Sequence, residues 1–234
     1  MSHISHLTSH ISKRYAIIVA GGSGTRMGSV LPKQFLLLNG LPVLMHTLLA
    51  FHNSRSKPGL ILVLPVAYHE YWAQLCDTHN FDIPHQLVSG GETRFHSVKN
   101  GLDLIAADEP GLIAVQDAVR PMTDAEIIDA AYEGAALNGN GVVAVKSRDS
   151  IRQLKGGKSV ALTRDEIYLV QTPQTFQSAQ IKKAYEQPYT PKFTDDASVV
   201  EAMGESIHLV DGSYKNIKIT FPEDIAIVEL LMKG

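Results

Sequence analysis

The sequence predicts an α/β fold in which a mostly parallel sheet carries helices on both of its faces. Short apolar runs alternate with helical patterns along almost the whole chain, and this alternation is typical of parallel sheets with helical crossovers. The first run, residues 15–19, is continuously apolar and reads as a buried strand. With 234 residues and 44% hydrophobic content, the chain can bury one substantial core, which fits a single domain.

The same patterns predict the individual elements in order. Strands are predicted at residues 15–20, 60–64, 85–88, 112–115, 142–145, 168–171 and 207–210. Helices are predicted at residues 42–52, 66–79, 93–107, 124–138, 178–186, 195–203 and 222–232. Asp124 and Pro222 are start signals for two of these helices. In such sheets ligands collect at the carboxyl ends of the strands, so the segments that follow the strands are the candidates for function.

The composition and the first residues exclude several classes of protein. Residues 1–13 are rich in serine, histidine and threonine and lack an apolar core, which predicts a disordered leader before a domain at residues 14–234, rather than a signal peptide. No run approaches the ~18 apolar residues of a spanning helix. A net charge of −3 gives no general attraction to nucleic acid or membrane. Cys76 is the only cysteine, and the absence of an internal disulfide fits a cytoplasmic protein.

A glycine-rich stretch directly after the first strand is the strongest functional signal. Four glycines lie within residues 21–28, and such a backbone can turn sharply and present N–H groups to an anion. Arg26 and Lys33 bring two positive charges to the same stretch. The combination predicts a pocket for a polyphosphate.

Two common nucleotide motifs do not fit this stretch. A Walker A loop needs Lys-Ser or Lys-Thr after its glycines, and neither follows here. A dinucleotide fingerprint needs a third glycine where Met27 stands, which disfavours a dehydrogenase. A plain glycine turn with solvated charges is the remaining alternative.

Two segments after later strands add candidate binding residues. Asp117 ends a buried run, where it is suited either to hold a divalent cation or to cap a turn. Gly90 and Gly91 expose backbone groups that could read the edge of a planar base, with Ser97 nearby; taken alone, this segment is also an ordinary loop before a helix.

Two further segments carry a hydroxyl and a lysine. Thr172 could present its hydroxyl to a phosphate. Lys218 stands between apolar neighbours in an extended segment, where it either reaches solvent or adds a third positive charge to the phosphate pocket.

Residues 147–165 break the alternation of strands and helices. They are charged and contain Gly156-Gly157 between two short β-like pieces, which predicts a hairpin. This hairpin is either a simple surface feature or an arm that docks on a second subunit.

These motifs together resemble those of the 2-C-methyl-D-erythritol 4-phosphate cytidylyltransferase family, from about residue 15 to the C-terminus. The resemblance rests on residues 19–27, 32–34, 90–92, 117–121, 172–174, 194–198 and 216–220. Gln116 and Ser150 stand where that family commonly has histidine and threonine. Ribitol-5-phosphate cytidylyltransferases share most of these blocks and are the alternative.

The resemblance implies a fold, a reaction and a cofactor. The fold is a Rossmann-like, mostly parallel sheet of the nucleotide-diphospho-sugar transferase type with a protruding β-arm. The reaction transfers CMP from CTP to 2-C-methyl-D-erythritol 4-phosphate, with release of pyrophosphate, in isoprenoid precursor synthesis. Mg²⁺ is the expected cofactor, and a homodimer with exchanged arms is the expected assembly.

The resemblance also implies roles for individual residues. The catalytic charges are Arg26, Lys33 and Lys218. The residues implied to bind the nucleotide are Ala20, Gly21, Gly22, Gly24, Thr25, Gly91, Glu92, Ser97 and Asp117, with Asp117 also holding the metal. The residues implied to bind the polyol phosphate are Arg120, Thr172 and, from the arm of a neighbouring subunit, Ser150 and Arg164.

A catalytically silent nucleotide-binding protein on the same fold is a rival from another class. Such a protein would not need the charged residues of the pocket, yet Arg26, Lys33, Asp117 and Lys218 are all present. The sequence therefore favours an enzyme.

Overall fold

The computed structural model describes residues 13–21 and 31–233 of the chain. Within them, the strands are β1 (Lys13–Val19), β2 (Leu37–Leu38), β3 (Leu41–Pro42), β4 (Gly59–Leu64), β5 (Gln86–Ser89), β6 (Gly111–Asp117), β7 (Asn140–Lys146), β8 (Arg152–Lys155), β9 (Lys158–Ala161), β10 (Tyr168–Gln177) and β11 (Leu209–Asp211). The helices are α1 (Val43–Asn53), α2 (His69–His79), α3 (Arg94–Leu102), α4 (Ala125–Asn138), α5 (Ser178–Ala184), α6 (Asp196–Glu201) and α7 (Glu223–Leu231). Short 3-10 turns lie at Lys33–Phe35, Val66–Tyr68 and Arg164–Glu166.

In the described part of the chain, seven strands form one sheet in the order β11-β7-β10-β6-β1-β4-β5. β1 runs parallel to β4 and β6, β4 to β5, and β7 to β11. Only β10 among these strands is antiparallel to its neighbours, β6 and β7. The predicted mostly parallel α/β fold is confirmed. The carboxyl ends of β1, β4, β5 and β6 therefore meet at one edge of the sheet.

Residues 16–19 of β1 alternate between two buried layers, which explains why this part of the strand is continuously apolar. Ala16 and Ile18 pack on one face with residues of α1, α2 and α4. Ile17 and Val19 pack on the other face with residues of α3, α5 and α6. Because helices cover both faces of the sheet here, these four residues are all apolar.

Several predicted boundaries differ from the structure, and the two largest differences have identifiable reasons. The strand predicted at residues 168–171 continues as β10 to Gln177, although Pro173 has no N–H for the ladder. The sheet accommodates this segment by a register shift between Val170 and Gln174. The helix predicted at residues 93–107 ends at Leu102, and the chain then turns so that Ile105 is buried in the core.

The predicted hairpin is present as β8 and β9, which pair only with each other in the described residues. Gly156 and Gly157 have φ angles of +56° and +78°, the left-handed conformation that a two-residue hairpin turn requires. All residues of both strands are exposed. This hairpin is the protruding β-arm of the predicted fold.

None of the helices in the described residues is long and apolar enough to cross a membrane.

Candidate active site

An open cleft lies at the carboxyl ends of β1 and β6, where the chain leaves the sheet. A second cleft adjoins it on the β10 side and shares Arg94, Asp117 and Lys218 with it. The described residues that line the first cleft are Val19, Ala20, Gly21, Lys33, Gln34, Arg94, Asp117, Val119 and Lys218. The structure therefore brings together residues from the first strand, the middle of the chain and its C-terminal part.

Three cationic side chains surround the carboxylate of Asp117, the last residue of β6. The Nζ of Lys218 lies 3.0 Å from its Oδ2, and the Nε of Arg120 lies 3.3 Å from the same oxygen. The Nε of Arg94 lies 3.6 Å from Oδ1. Asp117 is thus an ion-pair centre rather than a simple turn cap.

The electrostatics of this cluster fix the charge of Asp117. Burial alone would raise the pKa of its carboxyl, but the positive charges of Arg94, Lys218 and Arg120 outweigh burial and lower that pKa well below the ordinary value. Burial lowers the pKa of Arg120, an effect that its pairing with Asp117 opposes. The carboxylate is therefore ionised throughout the neutral range.

Lys33 lines the same cleft. It begins a 3-10 turn after Pro32, and its Nζ donates a hydrogen bond to the carbonyl of Ile219 at 2.8 Å. The adjacent Gln34 donates to the carbonyl of Ala20 at 2.9 Å, which ties this turn to the end of β1. Lys33 is 8% exposed, so its charge is held in a partly desolvated position where it acts strongly on an anion.

Asn216 anchors the extended segment that carries Lys218. Its amide nitrogen donates to the carbonyl of Thr172 at 2.9 Å, and its side-chain oxygen accepts from Thr123 at 2.9 Å. Its own carbonyl accepts from Arg120 at 2.8 Å. Asn216 is fully buried, so these bonds hold Lys218 in register with Asp117.

The loop at Gly90-Gly91 packs against the first turn of α3, next to Gly21. The N–H of Gly91 donates to the hydroxyl of Ser97 at 3.0 Å. A Cβ at Gly91 would lie 2.4 Å from the Cβ of His96, so only glycine fits there. A Cβ at Gly21 would lie 3.3 Å from the Ser97 hydroxyl oxygen. Three of the nucleotide-binding candidates are therefore neighbours in space, while Glu92 points to solvent as an exposed residue.

The candidates for binding the polyol phosphate divide into two groups. Thr172 accepts a hydrogen bond from the N–H of Asp117 at 3.1 Å and, like Arg120, lines the second cleft. Ser150 and Arg164 are exposed and do not line either cleft within this chain. Arg164 makes a 3.7 Å ion pair with its neighbour Asp165.

Four residues of the predicted loop lie outside the described residues and stay predictions, namely Gly22, Gly24, Thr25 and Arg26. Residues 1–12 of the predicted disordered leader also lie outside the described residues. Nothing in the described structure tests their roles.

Sequence reasoning did not assign a role to Arg94, Asp196 or Asn216. The fork of Arg94 donates to both carboxylate oxygens of Asp196, at 2.9 and 2.6 Å. The available signal for Arg94 was its charge at the start of a predicted helix, shortly after Gly90 and Gly91. Nothing in the sequence pairs it with Asp196, because the two residues are 102 positions apart.

Within the described residues, no three acidic, histidine or cysteine side chains are grouped to hold a metal. Asp117 is the only carboxylate among the described residues that line the first cleft. A cation there would have one protein ligand and would take its other ligands from elsewhere.

Comparison with known proteins identifies similar chains. The family model described as 2-C-methyl-D-erythritol 4-phosphate cytidylyltransferase matches residues 15–234. A protein of that description from Bacteroides thetaiotaomicron is 50% identical over 220 residues, which cover 94% of this chain and 100% of the relative. Its counterpart from Bacteroides fragilis is 48% identical over 219 residues, covering 94% and 99%.

Solved structures show the same similarity. A 4-diphosphocytidyl-2C-methyl-D-erythritol synthase from Anaerococcus prevotii superposes with a TM-score of 0.83 at 27% identity, covering 97% of this chain and 99% of its own. A 2-C-methyl-D-erythritol 4-phosphate cytidylyltransferase from Francisella tularensis superposes with a TM-score of 0.76 at 30% identity, covering 93% and 99%.

Proposed function

The chain belongs to the 2-C-methyl-D-erythritol 4-phosphate cytidylyltransferase family, and we propose that the cleft described above is where its chemistry takes place. The enzyme transfers a CMP group from CTP to 2-C-methyl-D-erythritol 4-phosphate. The products are 4-diphosphocytidyl-2-C-methyl-D-erythritol and pyrophosphate, and the step belongs to isoprenoid precursor synthesis.

The convergence of Lys33, Arg94 and Lys218 on one cleft is the observation that supports this location. A phosphate oxygen of the acceptor attacks the α-phosphorus of CTP, a new P–O bond forms, and the bond to pyrophosphate breaks. The acceptor phosphate has a second pKa of about 6, so it is already an anion at neutral pH and needs no general base. The barrier lies in bringing two anions together, which fixed positive charges reduce.

The described residues divide this work by position. Lys33 and Lys218 both line the first cleft and stabilise charge on the α-phosphoryl group. Gly21 and Gly91 present exposed backbone groups next to the buried hydroxyl of Ser97, and these backbone groups suit the cytidine. Thr172 and Arg120 line the adjoining cleft, where the polyol phosphate approaches from the β10 side.

We also propose that Mg²⁺ enters with CTP. Mg²⁺ keeps several water ligands and is commonly bound by one or two carboxylates together with substrate phosphates, so a cleft with one carboxylate fits it. Asp117 would hold the ion; the contacts of Lys218 and Arg120 are to its Oδ2, whereas Arg94 approaches Oδ1 at 3.6 Å. The bound ion would neutralise charge on the phosphate oxygens.

The expected activity is measured as pyrophosphate release. We expect release with CTP, Mg²⁺ and 2-C-methyl-D-erythritol 4-phosphate, and little release when ribitol 5-phosphate replaces the acceptor. CTP alone with Mg²⁺ is the control for hydrolysis. Release only with ribitol 5-phosphate would keep the chemistry and overturn the acceptor.

The β-arm supports a homodimer in which each arm completes the site of the other subunit. Its apolar residues Leu154 and Val160 are 76% and 50% exposed, which is costly unless a partner covers them. Ser150 and Arg164 lie on this segment and away from the clefts of their own chain.

A biosynthetic enzyme with one cysteine also fits the reducing cytoplasm, where we place it.

Mixed dimers test this exchange of arms. We expect Arg164→Ala and Lys33→Ala homodimers each to be poorly active. In a mixed dimer of these two variants, one site would combine an intact Lys33 with an intact Arg164 from the other subunit. Such dimers, isolated with two affinity tags, should recover up to about half of wild-type turnover, because one of two sites is intact.

Arg152 provides the matched control for that experiment. It lies on β8 and bonds Ser159 within the same hairpin, so Arg152→Ala should leave the use of the polyol phosphate nearly unchanged. Mixed dimers without recovered activity would refute the exchanged arm.

A further inference from the structure

Arg94 is held between two carboxylates, one in the cleft and one in the core. It is the first residue of α3, and its side chain is 29% exposed and lines the cleft. Its two terminal nitrogens face Asp196, while Nε faces Asp117 at 3.6 Å. The orientation of its charge in the cleft is therefore determined by Asp196, which lines neither cleft.

Asp196 is fully buried, and its carboxylate accepts three hydrogen bonds. Besides the two bonds from Arg94, its Oδ1 accepts a hydrogen bond from the hydroxyl of Tyr185 at 2.6 Å. Burial, with Asp196 adding to it, raises the pKa of Tyr185 well above 10, so the phenol keeps the proton that it donates. A bidentate pair with a third donor fixes the plane of a guanidinium more strictly than a single contact does.

The main chain around Asp196 is itself fixed to the sheet. Asp196 begins α6 directly after Asp195, which caps the helix and accepts a hydrogen bond from Gln174 of β10 at 3.0 Å. The side-chain oxygen of Gln174 accepts from the N–H of Ala197 at 2.8 Å. The position of Asp196 therefore follows that of β10, the strand that also carries Thr172.

We propose that Asp196, supported by Tyr185, is a positioning residue for the cytidylyl transfer, which acts by holding the guanidinium of Arg94 in the CTP-binding cleft. Without the buried carboxylate, the fork of Arg94 is free to turn its terminal nitrogens onto Asp117. That pairing would close the cleft and withdraw the positive charge of Arg94 from the phosphates. The proposal rests on the proposed site, since it needs Arg94 to face bound CTP.

A double-mutant cycle between Arg94 and Asp196 tests this route. We expect Asp196→Asn to lower kcat/KM for CTP by about 10- to 100-fold, the loss typical of partners that orient a functional group. In an Arg94→Gln background, adding Asp196→Asn should lower kcat/KM by less than about 2-fold further, because the effect of Asp196 passes through the arginine. If the fold-losses in kcat/KM of the two single variants multiplied fully in the double variant, the two residues would act independently and the proposal would be overturned.

Tyr185→Phe is the milder variant in case Asp196→Asn folds poorly. It removes only the hydroxyl, and we expect a loss of about 2- to 5-fold in kcat/KM, a size that fits one lost hydrogen bond. This loss should also vanish in the Arg94→Gln background. An unchanged kcat/KM in folded Tyr185→Phe and Asp196→Asn proteins would refute the positioning role.

Asp129→Asn separates positioning from general destabilisation. Asp129 is also a buried carboxylate that accepts from an arginine, Arg55, and from Ser56, but it lies on α4 and lines neither cleft. It should lower thermal stability while leaving kcat/KM within about 2-fold of wild type. A comparable catalytic loss in Asp129→Asn would mean that stability alone explains the effect of Asp196.

Calorimetric titration of CTP without acceptor repeats the cycle independently of turnover. The proposal would be supported if Asp196→Asn weakened CTP binding in the wild-type background but did not weaken it further in the Arg94→Gln background. This result would hold even if another acceptor proved to be the substrate. Wild-type protein that binds CTP but releases no pyrophosphate would count against the proposed function alone. Identical CTP affinities in wild type, Arg94→Gln and Asp196→Asn would overturn the proposal itself.

Discussion

Replacing Lys33 with alanine should lower kcat by on the order of 10²–10³, the usual loss when one preorganised charge is removed from the site of a developing anion. Lys33 is 8% exposed and is oriented by its bond to the carbonyl of Ile219, so little reorganisation is needed when the α-phosphoryl group becomes more negative. The free energy of unfolding should change by only about 1 kcal/mol, because the variant removes a buried charge near other cations. Steady-state kinetics and urea unfolding measure the two effects.

Two further variants make the Lys33 result interpretable. Lys33→Met keeps the apolar stem and should lose turnover as fully as alanine does. Lys215→Ala removes an exposed lysine three positions from Lys218 and should leave kcat unchanged. Near wild-type turnover in Lys33→Met would remove Lys33 from the catalytic machinery.

Replacing Asp117 with asparagine should have the second large effect, and it should act on stability as well as on activity. The carboxylate is 11% exposed and faces Lys218, Arg120 and Arg94. A neutral amide leaves these cations close together without their counter-charge, and loss of one partner from such a buried cluster costs about 3 kcal/mol. Urea unfolding at pH 7 measures this loss.

The pH dependence identifies the carboxylate as the cause. Its pKa in the folded protein lies below the ordinary value of 3.8, so the ionised group stabilises the fold fully above that value, and this contribution is lost as the pH falls further toward the folded-state pKa. The stability difference between wild type and Asp117→Asn should therefore be constant from pH 7 to about 5 and shrink below about pH 4. A difference that did not change with pH would contradict the ion-pair explanation.

The same variant tests the proposed metal ligand. If Asp117 holds Mg²⁺ together with CTP, Asp117→Asn should need a higher Mg²⁺ concentration for half-maximal pyrophosphate release. Asp129→Asn, which alters a buried carboxylate away from the cleft, should keep the wild-type Mg²⁺ dependence. An unchanged Mg²⁺ dependence in Asp117→Asn would remove Asp117 as a ligand.

Local patterns predicted the elements of the fold because each pattern depends on neighbours in the chain. The apolar run of β1 identifies a strand buried on both faces, and Gly156-Gly157 identifies the turn of the arm. The boundaries that the sequence did not predict depend on tertiary contacts. β10 continues past Pro173 because the sheet tolerates a shift of register there, and α3 ends at Leu102 where the chain turns to bury Ile105.

The sequence by itself determined the α/β class, the placement of candidate groups at strand ends, and the resemblance that names the reaction. Only the tertiary structure decided which charges meet. Lys33 bonds a carbonyl 186 positions away, and Arg94 pairs with a carboxylate 102 positions away. Periodicity carries no information about such pairs, because they form where distant segments converge at one edge of the sheet. The arrangement of charges in the site therefore exists only in the folded chain.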